Sequence, residues 1–279
     1  MKNKFLVVIF LVTSFAVCKA QNDATYDWHD HWMPVWNELR GSFLEPNRFA
    51  TAFDFKPGWY RIEAGYGGEI ARFSSTTIGA EGLIWSGLKA YKDFRFPVQT
   101  ADYFFGLYSI FPLPLWGTGL DPWKMRFRLS HISSHLVDGA ASVEAGASSK
   151  FSREFISVET LFDETDARSF RLSLGIRLII HQISSIEQSF QFPGVLDFVM
   201  YKDRSSQVFA TLSTDAGPSL ANYSGGITYR RTSATNSIAD VYAEFHTGRT
   251  RYGVEGNVKQ DGFEIGIRVA TAREIERDK

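Results

Sequence analysis

The chain has 279 residues, with 30 basic against 31 acidic side chains and a formal net charge of −1. That balance gives no electrostatic footprint for nucleic acid. No run of about 18 or more apolar residues occurs, which excludes a helical membrane span. The one cysteine, Cys18, rules out an internal disulfide.

The first element, 1–20, reads as a secretory signal peptide. Lys2 and Lys4 supply a basic start, 5–17 is apolar, and Cys18 and Ala20 place small residues at the cleavage positions. The apolar run is too short to cross a bilayer as a mature helix. Phe15 and Val17 are too bulky for a lipoprotein signal that would acylate Cys18. Cleavage after Ala20 leaves a mature chain without a thiol. Segment 21–47 is tryptophan-rich, with a short helix predicted near 33–40. It would plug a lumen or lie along a periplasmic rim. Its Asp27, His29, Asp30 and His31 read as a peripheral polar cluster rather than a metal site.

From 48 onward the hydrophobic period is two. In 168–180 Phe170, Leu172, Leu174, Ile176 and Leu178 share one face, while Ser169, Arg171, Ser173, Gly175 and Arg177 share the other. The same division recurs. Tyr60, Ile62 and Ala64 oppose Arg61 and Glu63. Met125, Phe127 and Leu129 oppose Arg126, Arg128 and Ser130. Phe263, Ile265, Ile267 and Val269 oppose Glu264, Gly266 and Arg268. The predicted strand cores are 48–56, 60–72, 77–88, 100–112, 123–136, 151–162, 168–180, 190–201, 206–214, 222–232, 237–247 and 260–270. Segments 100–112 and 190–201 alternate poorly, which leaves ten or fourteen strands open beside twelve. A charged tail, 271–279, follows.

Segments of about ten alternating residues separated by turns are the pattern of a transmembrane antiparallel up-and-down β-barrel. The bilayer core offers no water to open backbone groups, so such a sheet must close. A soluble β-sandwich also alternates. Two features favour the barrel: charges recur in the middle of the polar faces, and Tyr60, Trp85, Tyr223, Tyr229 and Phe245 suit interfacial girdles, although Trp85 falls in the polar phase. With both chain ends in the periplasm, odd strands run outward. The short turns at 163–167, 202–205 and 233–236 are then periplasmic, and the long loops at 137–150 and 248–259 external.

The stretch "RLSHISSHLVDG" (128–139) carries the densest candidate chemistry. His131 and Ser133 are two apart on a strand and share a face. The pair resembles the His-x-Ser arrangement of outer-membrane phospholipase A and lipid A 3-O-deacylase, in which histidine serves as base for serine and a third residue orients it. Asp138, or an acid on a neighbouring strand, would be that third member. Continuing the phase of Met125, Phe127 and Leu129 points His131, Ser133 and His135 toward lipid headgroups. Ile132 and Leu136 occupy the opposite phase, which suggests a bulge near Ser130 that would turn the histidines into the lumen mouth. Hydrogen bonding at a barrel rim, ligand binding through His135, and hydrolysis are the competing readings. His131 and His135 lie about 13 Å apart on a flat strand, too far for a chelate. No metal site is assigned, and no cofactor is called for.

Mixed charges are expected in the lumen: Arg61, Glu63, Glu81, Arg126, Arg128, Glu159, Arg171, Arg177, Arg230, Asp240, Glu244, Glu264 and Arg268. A paired, plugged interior is favoured. The rival is a narrow channel in which Arg126, Arg128, Arg171 and Arg177 would bind a small polar or anionic solute, since arginines outnumber acids in this set.

The stretches "RFRLSHISSHLVDG", "GSFLEPNRFATAFDF", "GYGGEI", "IGAEGLIWSG", "TADYFFGLYSIFPLPL", "FSREFISVETL" and "GFEIGIRV" together resemble a bacterial outer-membrane family catalogued as domain of unknown function 1207. Val137 and Gly139 depart from that pattern, and the carboxy-terminal tail is longer. The resemblance implies an outer-membrane barrel and supplies no activity. The expectation is therefore a monomeric barrel of a Gram-negative outer membrane, inserted by the barrel assembly machinery. Its role would be structural, binding or narrow transport. The alternative is an outer-leaflet lipid hydrolase that uses the His-x-Ser pair on membrane lipid or lipopolysaccharide.

Overall fold

The computed structural model describes residues 48–272, except for 57–58, 74–75, 90, 92–94, 96, 114–122, 138–149, 164–169, 184–188, 204, 219–220, 233–237 and 249–260. The side chains of some strand residues, including 48–59 and Arg171, also lie outside the described set. So do the expected signal peptide, the 21–47 segment with its aspartate–histidine cluster, Asp138, and residues 273–279.

Among the described residues twelve strands follow one another: β1 (Arg48–Lys56), β2 (Trp59–Phe73), β3 (Thr76–Lys89), β4 (Val98–Pro112), β5 (Trp123–Leu136), β6 (Lys150–Asp163), β7 (Phe170–Ile183), β8 (Phe190–Lys202), β9 (Ser206–Ala216), β10 (Ala221–Thr232), β11 (Ile238–Thr247) and β12 (Gly262–Ala272). Each strand pairs with its sequence neighbours, and β1 pairs antiparallel with β12, which closes the barrel. Closure matters physically. It leaves no strand edge whose amides and carbonyls would need a partner inside a bilayer. β12 runs two residues into the segment expected as tail.

Alternation places one phase inside. On β7 Leu174, Ile176 and Leu178 are exposed, while Ser173 and Arg177 are buried. On β12 Phe263, Ile265, Ile267 and Val269 are exposed, while Glu264 and Arg268 are buried. Repeated around a closed sheet, this gives an apolar outer belt and a charged interior, the reverse of a water-soluble domain. Hydrocarbon is the medium such a belt requires.

Among the described residues, eight cationic and eight acidic side chains are buried. The two signs balance in this described set, in which the side chain of Arg171 is not included. Asp102, Asp197 and Asp215 join the interior, and so do Lys124 and Arg153. Arg126 pairs with Glu159 at 2.5 Å, and Arg128 with Glu81 at 2.7 Å. Arg177 meets Asp215 at 3.2 Å. Asp240 receives Arg230 at 2.9 Å and Arg268 at 3.0 Å. In a low-dielectric interior each such charge needs its partner. Gly106 keeps one route open: a Cβ there would stand 2.9 Å from Glu81 Oε1, on the path by which Glu81 reaches Arg128.

The interior is not polar throughout. Leu83, Trp85, Phe104, Ile132 and Phe155 form a buried apolar cluster toward the rim that carries the β5–β6 connection. Tyr108, Ile110, Leu161 and Val195 form a second cluster. These layers explain why β4 and β8 alternate poorly in sequence: apolar residues occupy both of their faces. They also correct the girdle assignment of Trp85, which is 1% exposed and belongs to the interior.

Candidate active site on the outer wall

β5 keeps one phase from end to end. Lys124, Arg126, Arg128, Ser130, Ile132 and Ser134 are all buried, and the alternate residues face outward. Its pairing with β4 is continuous through Gly106↔Ser130, Phe105↔His131 and Phe104↔Ile132. Its pairing with β6 is continuous through Ser130↔Phe155 and His131↔Glu154. The bulge expected near Ser130 is absent from both ladders. Ile132 faces inward because the interior is apolar there, not because the strand has turned over. His131, Ser133 and His135 therefore face outward.

On that outer face β6 places Ser152, Glu154, Ile156 and Val158, in the phase opposite to buried Arg153, Phe155, Ser157 and Glu159. Glu154 stands directly across from His131, and His131 Nδ1 lies 2.7 Å from Glu154 Oε1. Ser152 Oγ donates to the same oxygen at 3.2 Å. His181 Nδ1 of β7 lies 2.5 Å from Glu154 Oε2. Ser133 occupies the next outward position on β5, across from Ser152 on one side and Tyr103 on the other. The Tyr103 and His135 rings tilt against each other at 6.4 Å between centroids.

The irregularity of this wall is on β7. Phe155 pairs with Ile179 and Glu154 with His181, so Ile180 is an extra residue between them. One extra residue reverses the facing of everything beyond it. Leu178 is outward and Ile179 inward. After the bulge His181 is outward, where unbroken alternation from Leu178 would have sent it inside.

The local arrangement departs from the rule of the barrel. His131, Ser133, Ser152, Glu154 and His181 face outward, while Ile132, Phe155 and Ile179 face inward beside buried Arg153. Below the polar rung the wall is apolar again: Leu129, Leu178 and Ile176 are about half exposed. Charged and polar groups on a lipid face are costly at depth and cheaper near the interface. The rung lies five residues before the end of β5.

Chemically, a carboxylate accepting from Nδ1–H of an imidazole fixes the tautomer and leaves Nε2 as the basic nitrogen. Ser133 lies two residues along the same face, about 7 Å along the strand. The orienting acid present is Glu154 from the neighbouring strand, while Asp138 lies outside the described residues. Arg126, Arg128 and Arg177 are engaged in interior pairs, and only the backbone of Arg171 is described, paired with Asp163 and Asp197. Sequence reading missed Glu154, Ser152 and His181. A glutamate in the lipid-facing phase of β6 was the available signal.

A closed antiparallel barrel with an apolar belt and a charged interior defines the outer-membrane class of transmembrane protein. No family model and no curated relative matches the chain. Solved structures do. The outer membrane phospholipase A from Escherichia coli is similar at a TM-score of 0.52 and 8% identity, over 82% of this chain and 93% of that chain. The Salmonella typhi outer membrane phospholipase dimer with bound calcium is similar at 0.51 and 9% identity, over 92% and 96%. The KdgM porin in complex with disordered oligogalacturonate aligns at 0.48 and 7% identity, over 81% and 99%. At these identities the likeness is one of fold: an up-and-down barrel of the outer-membrane kind.

Proposed function

We propose that this barrel is an outer-leaflet lipid ester hydrolase, with Ser133 as nucleophile, His131 as base and Glu154 as the orienting carboxylate. One observation carries the reading: the 2.7 Å contact between His131 Nδ1 and Glu154 Oε1 lies on the lipid-facing wall, with Ser133 next along the same face. Ser133 Oγ bonds to the ester carbonyl carbon while His131 takes its proton. The ester C–O bond then breaks, and the alcohol leaves with that proton. Water, activated by His131, releases the fatty acid and regenerates the serine. The fold likeness to outer membrane phospholipase A supports this choice over transport, and so does an interior occupied by paired charges.

In this reading odd strands run outward, the rim with the β5–β6 connection is external, and the protein acts as a single barrel placed by the barrel assembly machinery. Its sequence stretches resemble the family catalogued as domain of unknown function 1207, to which the reading would give an activity. The substrate is an acylated membrane lipid: phospholipid, or the lipid A part of lipopolysaccharide. Purified barrel is incubated separately with phospholipid vesicles and with lipid A, as wild type and as Ser133→Ala. Serine-dependent release of fatty acid from either is expected, and the substrate that responds fixes the class. Equal release from both proteins, or none from either, sinks the proposal.

A further inference from the structure

We infer that His181 is a positioning residue of the Ser133 centre, kept across from Glu154 by the β7 bulge that absorbs Ile180. The inference rests on the hydrolase reading above and adds a fourth member to it.

Glu154 is the middle of a row across three strands, with His131 on one side and His181 on the other. Its two oxygens are used differently. Oε1 takes His131 and Ser152, and Oε2 takes His181. A glutamate side chain has three rotatable bonds and, on an outer wall, little packing to hold it. Fixing Oε2 fixes the carboxylate plane, and with it the direction from which Oε1 meets His131. Partners of this outer kind keep an imidazole in one tautomer and one orientation.

The bulge is the independent observation. It interrupts the ladder at Ile180 and leaves that residue extra, at a cost in pairing. Its consequence at this rung is the facing of His181. With plain alternation through Ile180 the imidazole would point inward on the rung of buried Arg153, and Oε2 would have no donor from β7. His181 does not touch the place of Ser133, and its side chain is 62% exposed. It acts through Glu154.

The test uses a fluorophosphonate probe on the full barrel in detergent micelles. Ser133 Oγ bonds to phosphorus, fluoride leaves, and the serine proton passes to His131. Wild type, Ser133→Ala, His181→Ala, His181→Asn and an Ile180 deletion are compared, each checked for heat-modifiable migration as a sign of an intact barrel. His181→Ala is expected to slow labelling about tenfold to a hundredfold. His181→Asn restores most of the rate, because its amide donates from nearly the position of Nδ1. The Ile180 deletion removes the extra residue and leaves His181 outward across from Glu154, so it labels near the wild-type rate. In a Glu154→Ala background, His181→Ala has no further effect. A purely structural histidine would give neither the asparagine rescue nor that non-additivity. Labelling of an intact His181→Ala barrel at the wild-type rate overturns the inference while leaving the hydrolase reading standing. A wild type that labels no faster than Ser133→Ala overturns both.

Discussion

Two carboxylates in this barrel have the same surroundings in outline and opposite characters. Asp240 on β11 is held between Arg230 on β10 and Arg268 on β12. Glu154 on β6 is held between His131 on β5 and His181 on β7. Each is the centre of a base–acid–base row across three adjacent strands. Asp240 faces inward, is fully buried, and takes a two-pronged arginine with both oxygens at 2.9 Å. Arginine does not give up its proton, so that row can only hold strands together. Glu154 faces outward with its side chain one-third exposed, and its partners are imidazoles, each with a second ring nitrogen able to accept a proton. A serine lies one position away along the same face. The difference teaches that the facing of a strand, and not the residue pattern alone, separates a lock from the proposed reactive site.

The largest expected effect breaks the comparison at its serines. Ser133→Ala should lower lipid hydrolysis by at least about a thousandfold with the barrel intact. Ser157, whose Oγ donates to buried Glu159 at 2.8 Å, is the interior counterpart. Ser157→Ala should leave hydrolysis unchanged and cost about 1 kcal/mol of stability. Loss of hydrolysis in both variants would show that the wall cannot be divided into a reactive face and a holding face.

Next come the carboxylates themselves. Asp240→Ala strands two buried guanidinium groups and should cost about 3–5 kcal/mol, read from urea unfolding in lipid vesicles. Glu154→Ala removes a partly exposed group near the interface and should cost no more than about 1 kcal/mol. Equal costs would mean that the two rows do the same work. The paired interior carries a third expectation, electrical silence in a planar bilayer. Discrete conductance steps would show that the Arg126, Arg128 and Arg177 pairs part readily.

The strand pattern was legible because the outer phase is apolar at period two, most clearly on β7 and β12. β4 and β8 were blurred by the residues that fill the interior, Phe104, Tyr108 and Ile110 on β4 and Val195 on β8. For the site, one strand was legible and its neighbours were not. His131 and Ser133 share a face by spacing alone. That Glu154 stands across from His131 depends on the β5–β6 register, which a single strand does not encode. The phase break was read as lying near Ser130, since Ile132 seemed displaced. It lies 50 residues later, in the run Leu178-Ile179-Ile180, where a row of similar apolar side chains hides an extra residue.

The smallest effect lies outside the membrane wall, at Asp203 in the turn between β8 and β9. Its Oδ1 accepts from the Ser205 and Ser206 amides at 2.7 Å each, and its Oδ2 from the Tyr201 hydroxyl at 3.0 Å. The Ser205 amide, then the Tyr201 hydroxyl and the Ser206 amide, hold this carboxyl below the ordinary range. Because the folded value is depressed, its contribution to the turn is fully present above the unfolded value of about 3.9 and fades as pH falls through the folded one. The group is wholly exposed, so the effect stays local and leaves the barrel in place. Amide proton shifts of Ser205 and Ser206, followed by NMR from pH 7 downward, should stay flat until about pH 4 and move with a midpoint below it. Asp203→Asn keeps an acceptor and should abolish that movement. A midpoint at or above the unfolded value would mean that Asp203 does not hold the turn. Asp240, enclosed by two arginines, would then be the stronger measure of what a carboxylate contributes when it is shut inside the barrel.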